Sequence, residues 1–426
     1  MSQKKHRIIG LTLGVALTVS GAVTTFAFFN NDTPNQSSPI QGKAKNVIVF
    51  VGDGMGAAHR DAIRLAAKGL NGKLEMDDMP YAGIVHTNSA DPKSFVTDSA
   101  AAATAIATGV KSYNGAIGVD LNGKPVKTVL EQAKEAGKAT GIVTTSQVTD
   151  ATPAAFASHV ANRSSQSDIA KQYLENSKVD VILGGGEDYW YPTENPGKYP
   201  DHPAEDPTEA SKGTNGNLVD KAKQLGYTYV SNADELKRAK SNKLLGLFAN
   251  EEMFQQRPEG EGDIYDPVVS LPDMTKKAID ILSKNKKGFF LLVEEEAIDE
   301  MSHENNAALT IKAGQQFDQA VAVGKAYAKQ HPDTLVIVLA DHDCGGLTVE
   351  TVNDSDESGD GKTTSSEDGP FPIAHSDQNF VLDWTTSGHT GTDVPLTAMG
   401  PGAEKLTGIY ENTHIHDVIL RAMRIK

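Results

Sequence analysis

Cysteine is nearly missing from this chain, with one in 426 residues. A disulfide framework and any cysteine-rich zinc site are thereby excluded. Positive charge is also in short supply: 40 Lys and Arg stand against 56 Asp and Glu, a formal net charge of −16. That balance argues against a nucleic-acid binder working through a broad basic face. No segment repeats at a fixed period, and only one long apolar run occurs. With 38% hydrophobic and 23% charged residues, 39 Gly and 19 Pro, the chain is neither disordered, nor collagen-like, nor a polytopic membrane protein. It is long enough to bury a large core.

The single apolar run carries no charge from Ile8 to Phe29 and follows Lys4, Lys5 and Arg7. A basic start before an apolar stretch is the pattern of an export signal, here with cleavage after Ala27, so residues 1–27 read as a signal peptide. The run is also long enough to cross a bilayer, which takes about 17–25 residues, and an uncleaved anchor stays open. No Cys follows it, so a lipoprotein anchor is excluded. Either way the body of the chain is placed outside the cytoplasm: extracellular, periplasmic or on the outer face of the cell membrane. Contact with the membrane is expected only if the segment is retained. Residues 28–44 are polar and turn-rich and read as a flexible linker. The folded domain is expected over residues 45–426.

Within it, short β-branched runs stop at reactive residues. They are NVIVFV before Gly52, ATGIVTT before Ser146, VDVILGG, GFFLLV before Glu294 and TLVIVLA before Asp341. Continuous apolar runs of this kind suit strands covered on both faces. Amphipathic segments alternate with them, at 128–138, at 272–288, and in a longer stretch before the strand at 334–340. The pattern predicts an α/β fold, a three-layer α/β/α sandwich with a large, mostly parallel central sheet and helices on both faces. Residues 187–216 and 351–378 break the alternation and read as insertion loops. Ligands of such sheets bind at the carboxyl ends of strands, where the polar clusters fall.

The first cluster is VGDGMGAAH. Its glycines fit a dinucleotide turn, a cation site built on Asp53, or a plain strand–turn–helix junction; Asp53 would repel a pyrophosphate. In FVTDSAAAATAIATG, Ser99 follows Asp98 at a helix start. It reads either as a cap or as a nucleophile in the positive field of the helix N-terminus. No base lies nearby in sequence, so activation would need a metal. Asp299 and His303 are four apart and share a helix face, as a surface pair or as two ligands of one cation. Glu294, Glu295 and Glu296 read as a solvated run, or as a costly buried one that needs a cation. Asp341 and His342 are adjacent at a strand end, and His389 lies in a loop.

Taken together, GDGMG, TDSAAAAT, TDATPAAFASHVANR, LLGLF, VEEEAIDEMSH, ADHD and GHTGTDVPL closely resemble the alkaline phosphatase family in motif content, order and local spacing. The resemblance runs from about Asn46 to the C-terminus. It implies that Ser99 is the serine that becomes phosphorylated and that Arg163 grips the phosphate. Asp299, His303 and His389 match the ligands of one zinc ion, and Asp53, Asp341 and His342 those of a second. Ser99 is itself implied as a zinc ligand; Asp53, Thr152 and Glu294 match the ligands of a magnesium ion. Asp150 matches a position around the magnesium, and Asp98 one that orients the arginine. Zinc lowers the pKa of a bound hydroxyl, and two ions about 4 Å apart clamp the attacking and leaving oxygens of an in-line displacement. Screening beyond roughly 8 Å lets these cations override the acidic surface.

The implied protein is an exported, metal-dependent hydrolase of small phosphate monoesters, a homodimer as is usual for the family, with no specific nucleic-acid partner. Rival readings are a phosphodiesterase or sulfatase of the same superfamily, or a non-catalytic surface protein that binds cations or phosphate. Three positions depart from the family pattern. Glu295 and Glu296 stand where many relatives carry glycine, and Glu300 where Lys, His or Trp is usual, an exchange expected to loosen bound phosphate. Cys344, His414 and His416 read as packing or surface residues. Asp354, Asp356 and Asp360 resemble a calcium loop only faintly, and Trp190 either lines a substrate mouth or packs the insertion.

Overall fold

The computed structural model describes residues 42–199, 211–254, 265–352 and 368–425. The export segment, almost all of the linker and the Asp354, Asp356 and Asp360 loop lie outside the described residues. None of the described helices is long and apolar enough to cross a membrane.

The chain opens with β1 (Asn46–Gly52), followed by β2 (Tyr81–His86), β3 (Ala139–Gln147) and β4 (Val181–Gly185). Next come β5 (Thr228–Val230), β6 (Leu244–Leu247), β7 (Phe289–Glu295) and β8 (Thr334–Leu339). Five strands then leave the main sheet: β9 (Asp343–Cys344), β10 (Leu347–Thr351), β11 (Asp368–Pro372), β12 (Asn379–Trp384) and β13 (His389–Thr390). β14 (Val394–Met399) and β15 (Gly408–Glu411) return to it.

The main sheet has ten strands in the order β15-β2-β14-β8-β1-β7-β3-β4-β6-β5. β14 runs antiparallel to β2 and β8, and every other pairing in the sheet is parallel. The mostly parallel sheet read from the apolar runs is therefore present, and β1, all of it buried, occupies its middle between β7 and β8.

Alternation along a strand puts helices on both faces. Phe289 on β7 packs against Tyr327 of the helix Ala307–Gln330, ring centroids 5.7 Å apart. Its neighbour Phe290 stacks at 5.9 Å on Phe156 of the helix Ala151–Ala157, which covers the opposite face. The amphipathic segments of the sequence form the helices Val129–Glu135, started by a Thr128–Glu131 capping box, and Leu271–Leu282, with Pro in its first turn. The two small antiparallel sheets, β10-β12-β11 and β13-β9, have no counterpart in the strand–helix alternation. The second of them carries His389 to the main sheet's edge by pairing it with Cys344.

Candidate active site

Parallel register brings the reactive residues to one edge. Val51 of β1 pairs with Glu294 of β7 and with Leu339 of β8, while Thr144 of β3 pairs with Glu294. Asp53, Glu294, Asp341 and the turn after β3 are therefore neighbours wherever these strands end. The Asp53 amide extends the ladder to the Glu295 carbonyl at 3.1 Å, and the Gly54 amide donates to Asp341 Oδ1 at 3.2 Å.

The side chains gather into two groups, each with ligand atoms within 4.8 Å of one another. Asp53, Asp341 and His342 form one. His342 Nε2 lies 3.3 Å from Asp53 Oδ1 and 3.2 Å from Asp341 Oδ2. Asp299, His303 and His389, joined by Cys344, form the other. Asp299 Oδ2 is 3.1 Å from His303 Nε2 and 3.5 Å from His389 Nε2. The rings of His342 and His389 stack at 3.6 Å, so the two groups abut.

Several features fit divalent cations here. The outer nitrogens are tied back: His303 Nδ1 meets the Ser387 carbonyl at 2.7 Å and His389 Nδ1 the Thr97 carbonyl at 2.9 Å. A carbonyl only accepts, so both Nδ1 atoms carry the proton and both Nε2 lone pairs point inward, 3.1 Å apart. A proton or a cation must lie between them. Asp53 Oδ1, Asp341 Oδ2 and Asp299 Oδ1 are buried with no hydrogen-bond partner, which is costly for a carboxylate unless a cation compensates. Burial, then the charges of Asp341, Asp299 and Glu294, push Asp53 well above the usual carboxylate range. Asp299 behaves oppositely: burial would raise it, but with no cation bound His303 and His389 in their doubly protonated form donate to it and hold it well below. Carboxylate and imidazole donors of this kind suit zinc.

Ser99 is the first residue of the helix Ser99–Thr108, and the capping task belongs to Asp98, whose carboxylate accepts from the Ala101 amide at 2.9 Å. The cap reading of Ser99 is thus set aside. Its buried hydroxyl lies 3.2 Å from His342 Nε2, in the positive field of that helix end. Arg163 Nη2 donates to both oxygens of Asp150, at 3.1 and 2.9 Å, and Nη1 stands 3.6 Å from Asp98. Asp150, Asp98 and burial together, the acids outweighing burial, keep its guanidinium charged.

The three successive glutamates are all buried, so the solvated-run reading fails. Glu294 accepts the Thr144 hydroxyl at 2.6 Å with Thr152 beside it; burial above all, then the charges of Asp150 and Asp341, raises it to about 8. Glu295 joins neither ligand group. It accepts from Thr145 at 2.6 Å and from Tyr265 at 2.5 Å, and burial lifts it to about 7. Glu300 is partly buried beside Asp299; burial first, and then Asp299, raises it to about 8. Glu252, which belongs to no recognised motif, also reaches this corner, accepting from Gln147 Nε2 at 2.6 Å.

Cys344, read from the sequence as a packing residue beside the ligands, is buried as expected but stands closer to them than that reading allowed. It is fully buried, and its sulfur lies among the ligand atoms of Asp299, His303 and His389. Its place two residues after His342 was the available signal. His414 and His416 join neither group: His414 Nε2 meets the Lys405 carbonyl, and His416 lies beside Gln132 and Asp417. Trp190 is wholly buried and packs in the core beneath the insertion.

Glycine explains how the first loop fits under these acids. Gly54 has φ +64°, and a Cβ there would lie 2.3 Å from Asp299 Oδ1; one at Gly56 would lie 1.8 Å from Asp343 Oδ1. These glycines let backbone approach carboxylates, which favours the cation reading of GDGMG over the dinucleotide one.

A buried acid–imidazole edge with a serine at a helix start has the groups expected of a hydrolase. The sequence model for alkaline phosphatases matches residues 44–375 and 360–425, and the chain belongs to the alkaline phosphatase family. It is a phosphoric monoester hydrolase. It is 34% identical to alkaline phosphatase 4 of Bacillus subtilis, over 92% of each chain. It is 30% identical to a streptomycin-6-phosphate phosphatase of Streptomyces griseus, over 99% of this chain and 98% of that one. The solved alkaline phosphatase of the Antarctic bacterium TAB5 superposes with a TM-score of 0.72 at 31% identity, covering 90% of this chain and 99% of that one.

Replacing Gly54 by Ala forces a side chain onto Asp299 at a left-handed backbone position. Gly54→Ala is expected to lower stability by about 1–3 kcal/mol and to cost the protein bound metal. Denaturant unfolding and elemental analysis check this; a variant with wild-type stability and metal content contradicts it.

Proposed function

We propose that the chain hydrolyses phosphate monoesters through a phosphoserine at Ser99. Asp299, His303 and His389 hold one zinc ion, Asp53, Asp341 and His342 a second, and Asp53, Thr152 and Glu294 a magnesium ion. The observation that carries this reading is the Ser99 hydroxyl, 3.2 Å from His342 Nε2 and at a helix N-terminus, beside two buried acid–imidazole groups. When bound, the ions supply Lewis acidity, lowering the pKa of a hydroxyl and neutralising charge on the attacking and leaving oxygens.

The protein's own side chains do the positioning. The helix start sets the Ser99 oxygen in a field that favours a phosphoryl group. Arg163 meets phosphate oxygens with its forked donors, and Asp150 and Asp98 fix the plane of that fork. Phosphoryl transfer asks mainly for such positioning and charge neutralisation. The carbonyls of Ser387 and Thr97 hold two imidazoles with Nε2 inward, and the glycines of GDGMG bring Asp53 to the strand end. Glu300 stands beside Asp299 as an acid near the phosphate and weakens the hold on the released product.

The same reading takes residues 1–27 as an export signal or retained anchor ahead of a linker, and the active form as an exported homodimer. One relative is named for streptomycin-6-phosphate, so family membership leaves the alcohol portion of the substrate open.

Removing the nucleophile is the direct test. Ser99→Ala is expected to lower kcat by roughly 10³–10⁶-fold and to abolish the phosphoryl adduct that mass spectrometry detects in the acid-quenched wild type; a variant that keeps either the rate or the adduct contradicts the assignment. Exchanging the acid for a base tests Glu300. Glu300→Lys is expected to tighten inhibition by inorganic phosphate about tenfold or more, measured against an aryl phosphate substrate; an unchanged inhibition constant contradicts its role.

A further inference from the structure

Four carboxylates, of Asp150, Glu252, Glu296 and Glu300, gather near the end of β3, and none belongs to either metal-ligating group. Thr145 takes the Glu296 amide on its hydroxyl at 3.1 Å and the Met253 amide on its carbonyl at 2.9 Å, so the two acidic segments meet there. Gln147 Nε2 donates to Glu252 Oε1 at 2.6 Å. Glu300 lies one helical turn beyond Glu296, its amide 3.3 Å from the Glu296 carbonyl. Asp150 enters through its pairing with Arg163. Glu296 feels the charge of the other three.

Two acceptors in this corner have no donor. Glu296 is 5% exposed and Gln147 8%, and neither Glu296 Oε2 nor Gln147 Oε1 has a hydrogen-bond partner. Buried acceptors left in this state are costly, so a ligand that completes them must bring donors, and for Glu296 positive charge as well. Arg163 is already committed to Asp150 and Asp98. The four carboxylates also stand too far apart to chelate one ion together, since among the described residues only the two groups above have ligand atoms within 4.8 Å. Spread acceptors suit a broad donor, an ammonium or guanidinium group, better than a bare cation.

We propose that this corner receives a cationic group carried on the leaving alcohol, so that the preferred substrates are phosphate monoesters of amino- or guanidino-alcohols. This rests on the phosphomonoesterase reading. Glu300 directly follows Asp299, so a cation bound there stays within the ester whose phosphate faces Ser99 and Arg163. Gln147 ties Glu252 to this corner through its side-chain amide. An uncharged alcohol of equal size gains none of these contacts and leaves the acceptors unfilled.

The test compares kcat/KM for 2-aminoethyl phosphate and n-propyl phosphate on the metal-loaded full chain, with p-nitrophenyl phosphate as a control. The wild type is expected to favour the aminoethyl ester by about tenfold, the scale of one charge-assisted hydrogen-bonded contact. The ratio should fall close to one in both Glu252→Gln and Glu300→Gln. Taking the ratio within each variant cancels any loss of folded protein. Equal values in the wild type, or a preference kept by both variants, overturn the proposal. So does elemental analysis showing that Glu252→Gln loses one divalent ion, because the corner is then a metal site. Hydrolysis of the aryl ester without preference contradicts this inference alone. Failure on all three esters contradicts the phosphomonoesterase reading beneath it.

Discussion

A set of like charges held out of water at one edge of a sheet is the constraint on which this structure turns. Asp53, Glu294, Asp299 and Asp341 are all buried, and oxygens of three of them lack any hydrogen-bond partner. Buried carboxylates repel one another and lose their hydration, so the fold must supply compensation. Imidazole answers part of this: His303 and His389 hold Asp299 ionised. The rest calls for cations. The same residues that are costly to bury are thus the ones suited to hold a cation, and on the proposed reading stability and function are coupled through one cluster.

The sheet makes such a concentration possible because its stability lies elsewhere. The strands β1, β7 and β8 are apolar along their length, and their aromatic residues lock helices onto both faces, as Phe289 does with Tyr327 and Phe290 with Phe156. Only the last residue or two of each strand, and the turn that follows, carries chemistry. Parallel register then converts positions far apart in the chain into neighbours. It places Asp53 beside Glu295 through a backbone hydrogen bond and Asp341 beside Gly54. The antiparallel β14 and the small β13-β9 pair bring His389 back to the same edge.

Much of this was legible from residues alone, for physical reasons that can be named. Continuous apolar runs identify strands covered on both faces, and the parallel sheet follows. The motif order pointed to the family. Other points were ambiguous in one dimension. Ser99 and Asp98 compete for the same cap, and only geometry assigns it to Asp98. The glutamates 294–296 look the same in a sequence whether solvated or buried. GDGMG fits three turns until the approach of Gly54 to Asp299 is seen. Glu252 was missed because contacts between distant segments have no local signature: a bond from Gln147 carries it in, just as pairing with His389 sets Cys344 among the ligand atoms.

The central claim is that these acids and imidazoles cage divalent ions, and direct metal stoichiometry tests it most simply. Elemental analysis of the gel-filtered protein, paired with its unfolding temperature before and after chelation and after zinc is returned, gives the answer. The account predicts zinc and magnesium bound in stoichiometric amounts, an unfolding temperature that falls when they are stripped, and recovery with zinc. A folded protein that carries no stoichiometric divalent metal, and whose unfolding temperature ignores both chelator and zinc, contradicts it.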